Sequence, residues 1–384
     1  MTLYRPRSLA TPRSSFFLFG PRGTGKTTWV RHEYPDAHRV DLLDEALYQS
    51  YLADAGRFAG ELQAIAQGRW VFVDEIQRLP NLLNEVHRHI ESGGLRFILT
   101  GSSARKLKRS GVNLLAGRAT HTRMYPFLPH ELGTDFDLET VLRHGSLPVV
   151  WNADDRTAAL RSYVQLYLKE EIKGEALVRN LAGFARFLPV AALFHGQTLN
   201  VASAARDAEV SRTTLAGYVE ILEDTLVAFR MPAYDPKLRV RERKHPKLYW
   251  VDPGLARAAA GRFRELDPRE RGALFEGWIA TVLSSYRDYH GAFDEMYYWA
   301  PARARDTEVD FLLLRDGKSI AIEAKASARI HDRHLAGLRA VAPLPGLQRR
   351  ILTYAGSRRM RTPDGIDIWP VPDLLEALQS DRLW

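Results

Sequence analysis

Residues Gly20–Thr27 read GPRGTGKT, and a chain with this run between a short apolar strand and a helix is confined to few folds. Ser15-Phe16-Phe17-Leu18-Phe19, just before it, predicts a buried strand over 15–19, and Thr28-Trp29-Val30-Arg31 predicts the opening of a helix. Glycines at 20, 23 and 25 let successive backbone N–H groups turn inward onto a phosphate at the positive end of that helix. Lys26 is placed to reach the β- and γ-phosphates, and Thr27 to set its hydroxyl on Mg²⁺. The predicted nucleotide contacts are therefore Gly20, Pro21, Arg22, Gly23, Thr24, Gly25, Lys26, Thr27 and Thr28. The competing reading is a glycine-rich turn that contains Gly-Lys-Thr by chance.

A second run, Arg69-Trp70-Val71-Phe72-Val73-Asp74-Glu75, argues against chance. Its apolar, β-branched and aromatic residues predict a strand buried on both faces of a parallel sheet. Asp74 at the strand end is placed to hold Mg²⁺ through water, and Glu75 to polarise a water for attack on the γ-phosphate. The two runs together predict binding and hydrolysis of ATP with Mg²⁺ as cofactor. Thr100 ends a strand candidate at 96–100, where its hydroxyl could sense the γ-phosphate, a structural turn being the alternative. Arg118 leads into the last strand candidate, 119–124, and could serve as an arginine finger for its own or a neighbouring subunit, with Arg105 as competitor.

Strand candidates at 15–19, 38–42, 70–74, 96–100 and 119–124 alternate with helical stretches, the pattern of an α/β parallel sheet over residues 1–135. Residues 136–265 predict a helical and winged-helix module. Leu160, Tyr163, Val164, Tyr167 and Leu168 share one helical face. Helix, short turn with Ser211 as N-cap, and helix then follow over 198–222, with Arg212, Thr213 and Thr214 in the first turn of the second helix. Strand-like runs at 226–231 and 247–251 are joined by a basic wing. DNA contacts are expected at Arg212, Thr213, Arg239, Arg241, Arg243 and Lys244; a fold used only for protein packing is the alternative.

Charge supports an anionic partner. The 384 residues carry a net charge of +8, and no acid occurs between Ser92 and His130. Zero cysteines exclude disulfides and thiolate metal sites, and no apolar run approaches the ~20 residues of a membrane span. The N-terminus lacks the apolar segment of a secretion signal, so the expected place is the cytoplasm with no membrane partner.

The runs GPRGTGKTT, VDEIQRLP, ILTGSS and LLAGR together resemble the AAA+-type ATPase domain of the AAA_14 class. In that class the ATPase precedes a DUF4143-type region, matched here by Lys247–Leu255 and by Phe275-Glu-Gly-Trp-Ile279, so the likeness spans roughly residues 14–355. Within residues 266–384, Glu276 on a helix, Asp310 on a strand, and Glu323 and Lys325 on its hairpin partner resemble the PD-(D/E)xK nucleases, Holliday-junction resolvases included. That resemblance implies an α/β domain in which acids such as Asp310 and Glu323 hold Mg²⁺ and the lysine orients a water. Shape retained for DNA binding without cleavage is the alternative. The AAA+ resemblance also implies a homo-oligomer, a hexamer among the options. The expected function is an ATP-hydrolysing motor on DNA, branched DNA included, in recombination or repair. A nucleotide-controlled protein-interaction switch and an ATP-gated nuclease are the alternatives.

Overall fold

The structure, a computed structural model, describes residues 4–92, 94–103, 115, 117–167, 180–235, 245–301 and 307–384. The N-terminal unit is a five-stranded parallel sheet of β1 (Phe16–Phe19), β2 (His38–Asp41), β3 (Trp70–Asp74), β4 (Arg96–Gly101) and β5 (Thr120–Arg123), in the order β2-β3-β4-β1-β5. Its central strands are almost wholly apolar because both faces are covered. Alternation along each strand sorts the side chains. Phe17, Phe19, Val71, Val73 and Leu99 face α2 (Glu45–Ala53), α3 (Ala55–Gln63) and α4 (Leu82–Glu91), while Phe16, Leu18, Phe72 and Ile98 pack with Trp29 and Val30 of α1 (Lys26–Glu33). The chain runs outward from β1, returns through β3 and β4, and then crosses to β5, so the strand order reverses beside β1. A crevice at the C-terminal ends of the strands opens at such a reversal.

The central unit is helical: α5 (Leu138–His144), α6 (Arg156–Ser162), α7 (Leu181–Leu193), α8 (Val201–Asp207), α9 (Arg212–Asp224) and α10 (Pro253–Ala259). Three short strands, β6 (Gln197–Thr198), β7 (Ala228–Met231) and β8 (Lys247–Trp250), pair antiparallel in the order β6-β8-β7. Asn200 caps α8, and Ser211 caps α9 by accepting the Thr214 N–H at 3.1 Å. The amphipathic helix expected through residue 168 is α6 followed by one π-helical turn at Tyr163–Tyr167, with Leu160 and Tyr163 buried. Leu168, Arg105 and the wing residues Arg239, Arg241, Arg243 and Lys244 lie outside the described residues.

The C-terminal unit opens with α11 (Pro268–His290), started by an Asp267 capping box. A six-stranded mixed sheet follows: β9 (Glu295–Trp299), β10 (Val309–Arg315), β11 (Lys318–Lys325), β12 (Leu347–Tyr354), β13 (Met360–Arg361) and β14 (Asp367–Pro370), ordered β13-β14-β12-β11-β10-β9. Between β10 and β11, Asp316 and Gly317 turn the chain with φ of 50° and 73°, as a tight hairpin demands. The short α12 (Ala336–Ala340) and α13 (Val371–Gln379) complete the unit. A single apolar core runs through the central and C-terminal units together, from Tyr125 through Phe187, Trp250, Phe275 and Phe311 to Leu383.

Candidate functional site

The loop after β1 enters left-handed backbone at Gly23 (φ 79°) and Gly25 (φ 86°), conformations that glycine adopts without a Cβ penalty. Gly25 is the N-cap of α1, so the helix N-terminus points into the loop. Lys26 is buried, and its ammonium donates to the carbonyls of Gly20 at 2.7 Å and Pro21 at 3.2 Å. It lies inside the loop, held by carbonyls that phosphate oxygens would replace. Thr24 braces the turn by donating to the Pro21 carbonyl at 2.8 Å, and Thr28 is exposed in the first turn of α1.

At the strand ends, Thr27 donates its hydroxyl to one Asp74 oxygen at 2.7 Å, and Thr100 donates to the other. This brings together three predicted residues from α1, β3 and β4. All the donor atoms are oxygens, which suits Mg²⁺, and Thr27 and Asp74 would hold it. Bound there, the ion would neutralise charge between the β- and γ-phosphates. Glu75 follows in left-handed backbone at φ 58°. Gln77 donates from Nε2 to Glu75 Oε2 and, at 3.3 Å, to Ser102 Oγ.

Arg118 is placed differently. It precedes β5, whose register runs Phe16 with Thr120 and Phe19 with Arg123, and it pairs with Glu91 at the end of α4. It therefore sits at the N-terminal end of β5, the opposite end of the strands from the loop and roughly 15–20 Å from it along the strand.

Three contacts on the loop have no local sequence signal. The Arg22 carbonyl accepts the Tyr163 hydroxyl at 2.9 Å, and the Gly23 carbonyl accepts the Val149 N–H at 3.1 Å. A Cβ on Gly23 would come within 2.5 Å of Val149, so the close approach requires glycine. Arg7 donates to the Thr24 carbonyl at 2.8 Å while pairing with buried Glu131 at 3.0 Å. Beyond β5, Tyr125 donates its N–H to the Tyr289 hydroxyl at 2.9 Å and its own hydroxyl to Asp288 at 2.6 Å, joining α11 to the strand end beside the loop. A 260 Å³ cavity lined by Gly20, Pro21, Arg123, Glu223, Arg230 and Arg287 lies where the three units meet.

In the C-terminal unit, Glu276, Asp310, Glu323 and Lys325 converge with two residues absent from the expected set, Lys247 and Glu308. The Lys247 ammonium lies 2.9 Å from Glu276, 3.1 Å from Glu308 and 3.7 Å from Asp310. Lys325 pairs with Glu323 and stands 3.7 Å from Asp310, whose Oδ2 also accepts the Ala324 N–H at 2.9 Å. Burial and the neighbouring Asp310 push Glu276 up to about 7 against the pull of Lys247. The same two causes push Glu323 up to about 8. Burial disfavours the charge on Lys247, but Glu276, Asp310 and Glu308 outweigh it and hold the ammonium above its usual range. The expected Mg²⁺ at Asp310 and Glu323 is not accommodated. Ammonium groups and a backbone N–H already take those oxygens, and no group of three or more potential ligands is arranged for a metal among the described residues. Arg212 and Thr213 are exposed in the first turn of α9, on a different element from this cluster.

Residues 12–133 match an AAA domain. Residues 135–266 and 271–374 match two domains of unknown function, DUF8612 and DUF4143. The uncharacterized protein Rv2008c of Mycobacterium tuberculosis is 26% identical over 379 residues, covering 95% of this chain and 82% of that protein. The uncharacterized protein MJ1544 of Methanocaldococcus jannaschii is 19% identical over 340 residues, covering 80% and 74%. Among solved structures, protein VC1899 from Vibrio cholerae aligns over 95% of this chain and 96% of its own at 16% identity, with a TM-score of 0.23. Domain III of the Thermotoga maritima replication initiation protein DnaA covers 42% of this chain and 78% of its own at 14% identity, with a TM-score of 0.21. No helix among the described residues is long and apolar enough to cross a membrane.

Proposed function

We propose that the protein is an AAA+-type ATPase that hydrolyses Mg²⁺-bound ATP and couples it to work on DNA as a homo-oligomer. The observation that carries the ATPase reading is the Thr27–Asp74–Thr100 hydrogen-bonded chain at the strand ends, facing a loop whose buried lysine donates to the loop's own carbonyls at Gly20 and Pro21. Lys26 would bind the β- and γ-phosphates, Asp74 and Thr27 would hold the ion, and Glu75 would take a proton from the attacking water. DNA as partner is supported by α7–α9 with the β6-β8-β7 sheet, which reads as a winged helix, and by exposed Arg212 and Thr213 at the start of α9. The net charge of +8 points the same way. Assembly is supported by Arg118, which lies at the opposite end of the strands from its own loop and so fits a role toward a neighbouring subunit.

One arrangement favours a second reading, a nucleotide-controlled switch that reshapes a surface for another protein. Val149 and Tyr163 of the central unit rest directly on the loop, so a change there reaches the central unit without DNA. Steady-state ATP hydrolysis, alone and with single-stranded, duplex and four-way-junction DNA, separates the two. Stimulation by one DNA form supports the motor; a flat response across all three moves the function to the switch. Lys26→Ala should abolish turnover. Glu75→Gln should still bind ATP but turn over about 100-fold or more slowly, the usual size of a general-base effect. Normal turnover in Lys26→Ala would remove the assignment of hydrolysis to this loop, and normal turnover in Glu75→Gln would remove Glu75 as the group that acts on the water.

A further inference from the structure

Three successive carbonyls of the loop after β1 are gripped from outside it. The Tyr163 hydroxyl donates to the Arg22 carbonyl at 2.9 Å, the Val149 N–H to that of Gly23 at 3.1 Å, and Arg7 Nη1 to that of Thr24 at 2.8 Å. In a trans peptide the carbonyl and the following N–H point in opposite directions. Carbonyls drawn outward therefore turn the N–H groups of Gly23, Thr24 and Gly25 toward the interior of the loop. The Thr24 N–H fits this geometry. It reaches the Pro21 carbonyl at 3.4 Å, the same oxygen that accepts the buried Lys26 ammonium at 3.2 Å. A row of N–H groups aimed inward beside a lysine is an anion nest, and holding it in place beforehand removes the cost of ordering it when a ligand binds.

Arg7 is itself fixed on several sides. Its side chain is 3% exposed and pairs at 3.0 Å with Glu131, which accepts the N–H groups of Ser8 at 2.7 Å and Leu128 at 2.9 Å. The guanidinium also donates to the carbonyls of Tyr125 and Pro126, just past β5, and lies 4.9 Å from the centre of the Phe127 ring. One buried cation thus locks the loop to the chain that leaves the sheet. Its charge draws electron density from the Thr24 carbonyl, which makes the Gly25 N–H, at the N-terminus of α1, a stronger donor. We propose, resting on the ATPase reading of this loop, that Arg7 and Tyr163 are positioning residues that preform its phosphate nest, so that the N-terminal segment and the central unit together set the affinity for nucleoside di- and triphosphates. Neither residue needs to touch the phosphates, since each acts through a backbone peptide.

The test is titration of the full-length protein with ADP by isothermal calorimetry, with folding followed by circular dichroism. Arg7→Met should bind ADP about tenfold or more weakly than the parent, the usual weight of a charge-assisted hydrogen bond. Tyr163→Phe, which removes one oxygen, should lose about threefold or more. Arg5→Ala breaks a different pair of the same segment, Arg5 with Asp135, and should stay within about twofold. The nest holds the ground state and the transition state alike, so in ATP hydrolysis KM should rise by the same factor in Arg7→Met while kcat stays within about threefold. A folded Arg7→Met that binds ADP as tightly as the parent overturns the role of Arg7, and the same result for Tyr163→Phe overturns that of Tyr163. An equal loss in Arg5→Ala, or a fall in kcat with KM unchanged, also overturns the proposal. If Arg7→Met does not fold, Tyr163→Phe decides alone. A parent that binds no ADP fails the nucleotide reading, and the proposal with it. The titration needs no turnover, so the two failures are told apart.

Discussion

Glu75 has φ 58° and ψ 45°, a left-handed conformation that a glutamate seldom adopts unless its surroundings impose it. Gln77 supplies part of that constraint. Its side chain is 5% exposed, its amide nitrogen bridges Glu75 and Ser102, and a Cβ on Gly101 would lie 2.6 Å from its carbonyl oxygen. Gln77 thus ties the acid at the end of β3 to the tip of β4. If it positions Glu75, Gln77→Leu should lower kcat about tenfold or more while leaving KM for ATP within about twofold, the mark of an effect confined to the chemical step. Parallel losses in kcat and KM would make Gln77 a packing residue instead. Nothing in the local sequence singled it out. The acid pair at 74 and 75 stands out because it ends an apolar strand, whereas a glutamine two residues later reads as an ordinary turn residue.

His195, just after α7, shows how one element seals against another. Its Nδ1 accepts the Trp250 N–H at 3.0 Å, and α11 closes over the ring at Gly277, where a Cβ would lie 2.1 Å from Nε2. Burial pushes the imidazole down to about 4 from its usual 6.5. The folded-state value is thus the lower of the two, so between pH 6.5 and 4 the unfolded chain binds a proton that the folded chain refuses. The contribution is fully present above pH 6.5 and is lost as pH falls to 4, by on the order of 3 kcal/mol. Urea unfolding at pH 7.5 and pH 5.0 should show a larger loss for the parent than for His195→Gln. Equal losses would mean that the ring is not held neutral. Twelve histidines are scattered along the chain, and periodicity alone could not mark this one, because its burial depends on a helix more than eighty residues away.

Across the whole molecule, the shared core decides what can stand alone. Phe275, Trp278 and Leu283 of α11 pack in one cluster with Phe187 and Trp250 of the central unit, so a cut between the two units exposes the apolar face of a long helix. Residues 266–384 expressed alone should therefore be aggregated or poorly structured. A dispersed, folded NMR spectrum of that fragment would refute this. The same helix spans the distance between the two sites. From Glu276 at the ion cluster to Tyr289 at Tyr125 are thirteen residues, about 20 Å at the helical rise.

Features set by chemistry within a few residues were legible in the sequence. The sequence pattern named all five strands of the first sheet to within about two residues at each end; β1, β3 and β4 stand out because central parallel strands need both faces apolar, while the polar edge strands β2 and β5 lack that signal and follow from the alternation of strands with helices. Gly23, Gly25, Lys26 and Thr27 act through their own turn, and Asp74 through the end of its own strand, so local pattern suffices there. Glu276, Asp310, Glu323 and Lys325 could likewise be grouped from one helix and one hairpin. Only the tertiary structure brought Lys247 among those acids, because a lysine opening a strand is ordinarily solvated and its partners lie 29 to 63 residues further along the chain. It also placed Arg118 at the opposite end of the strands from the loop and set Val149 and Tyr163 on the nucleotide loop. Burial and charge compensation in such contacts arise only when distant segments dock, and no local periodicity encodes which segments will meet.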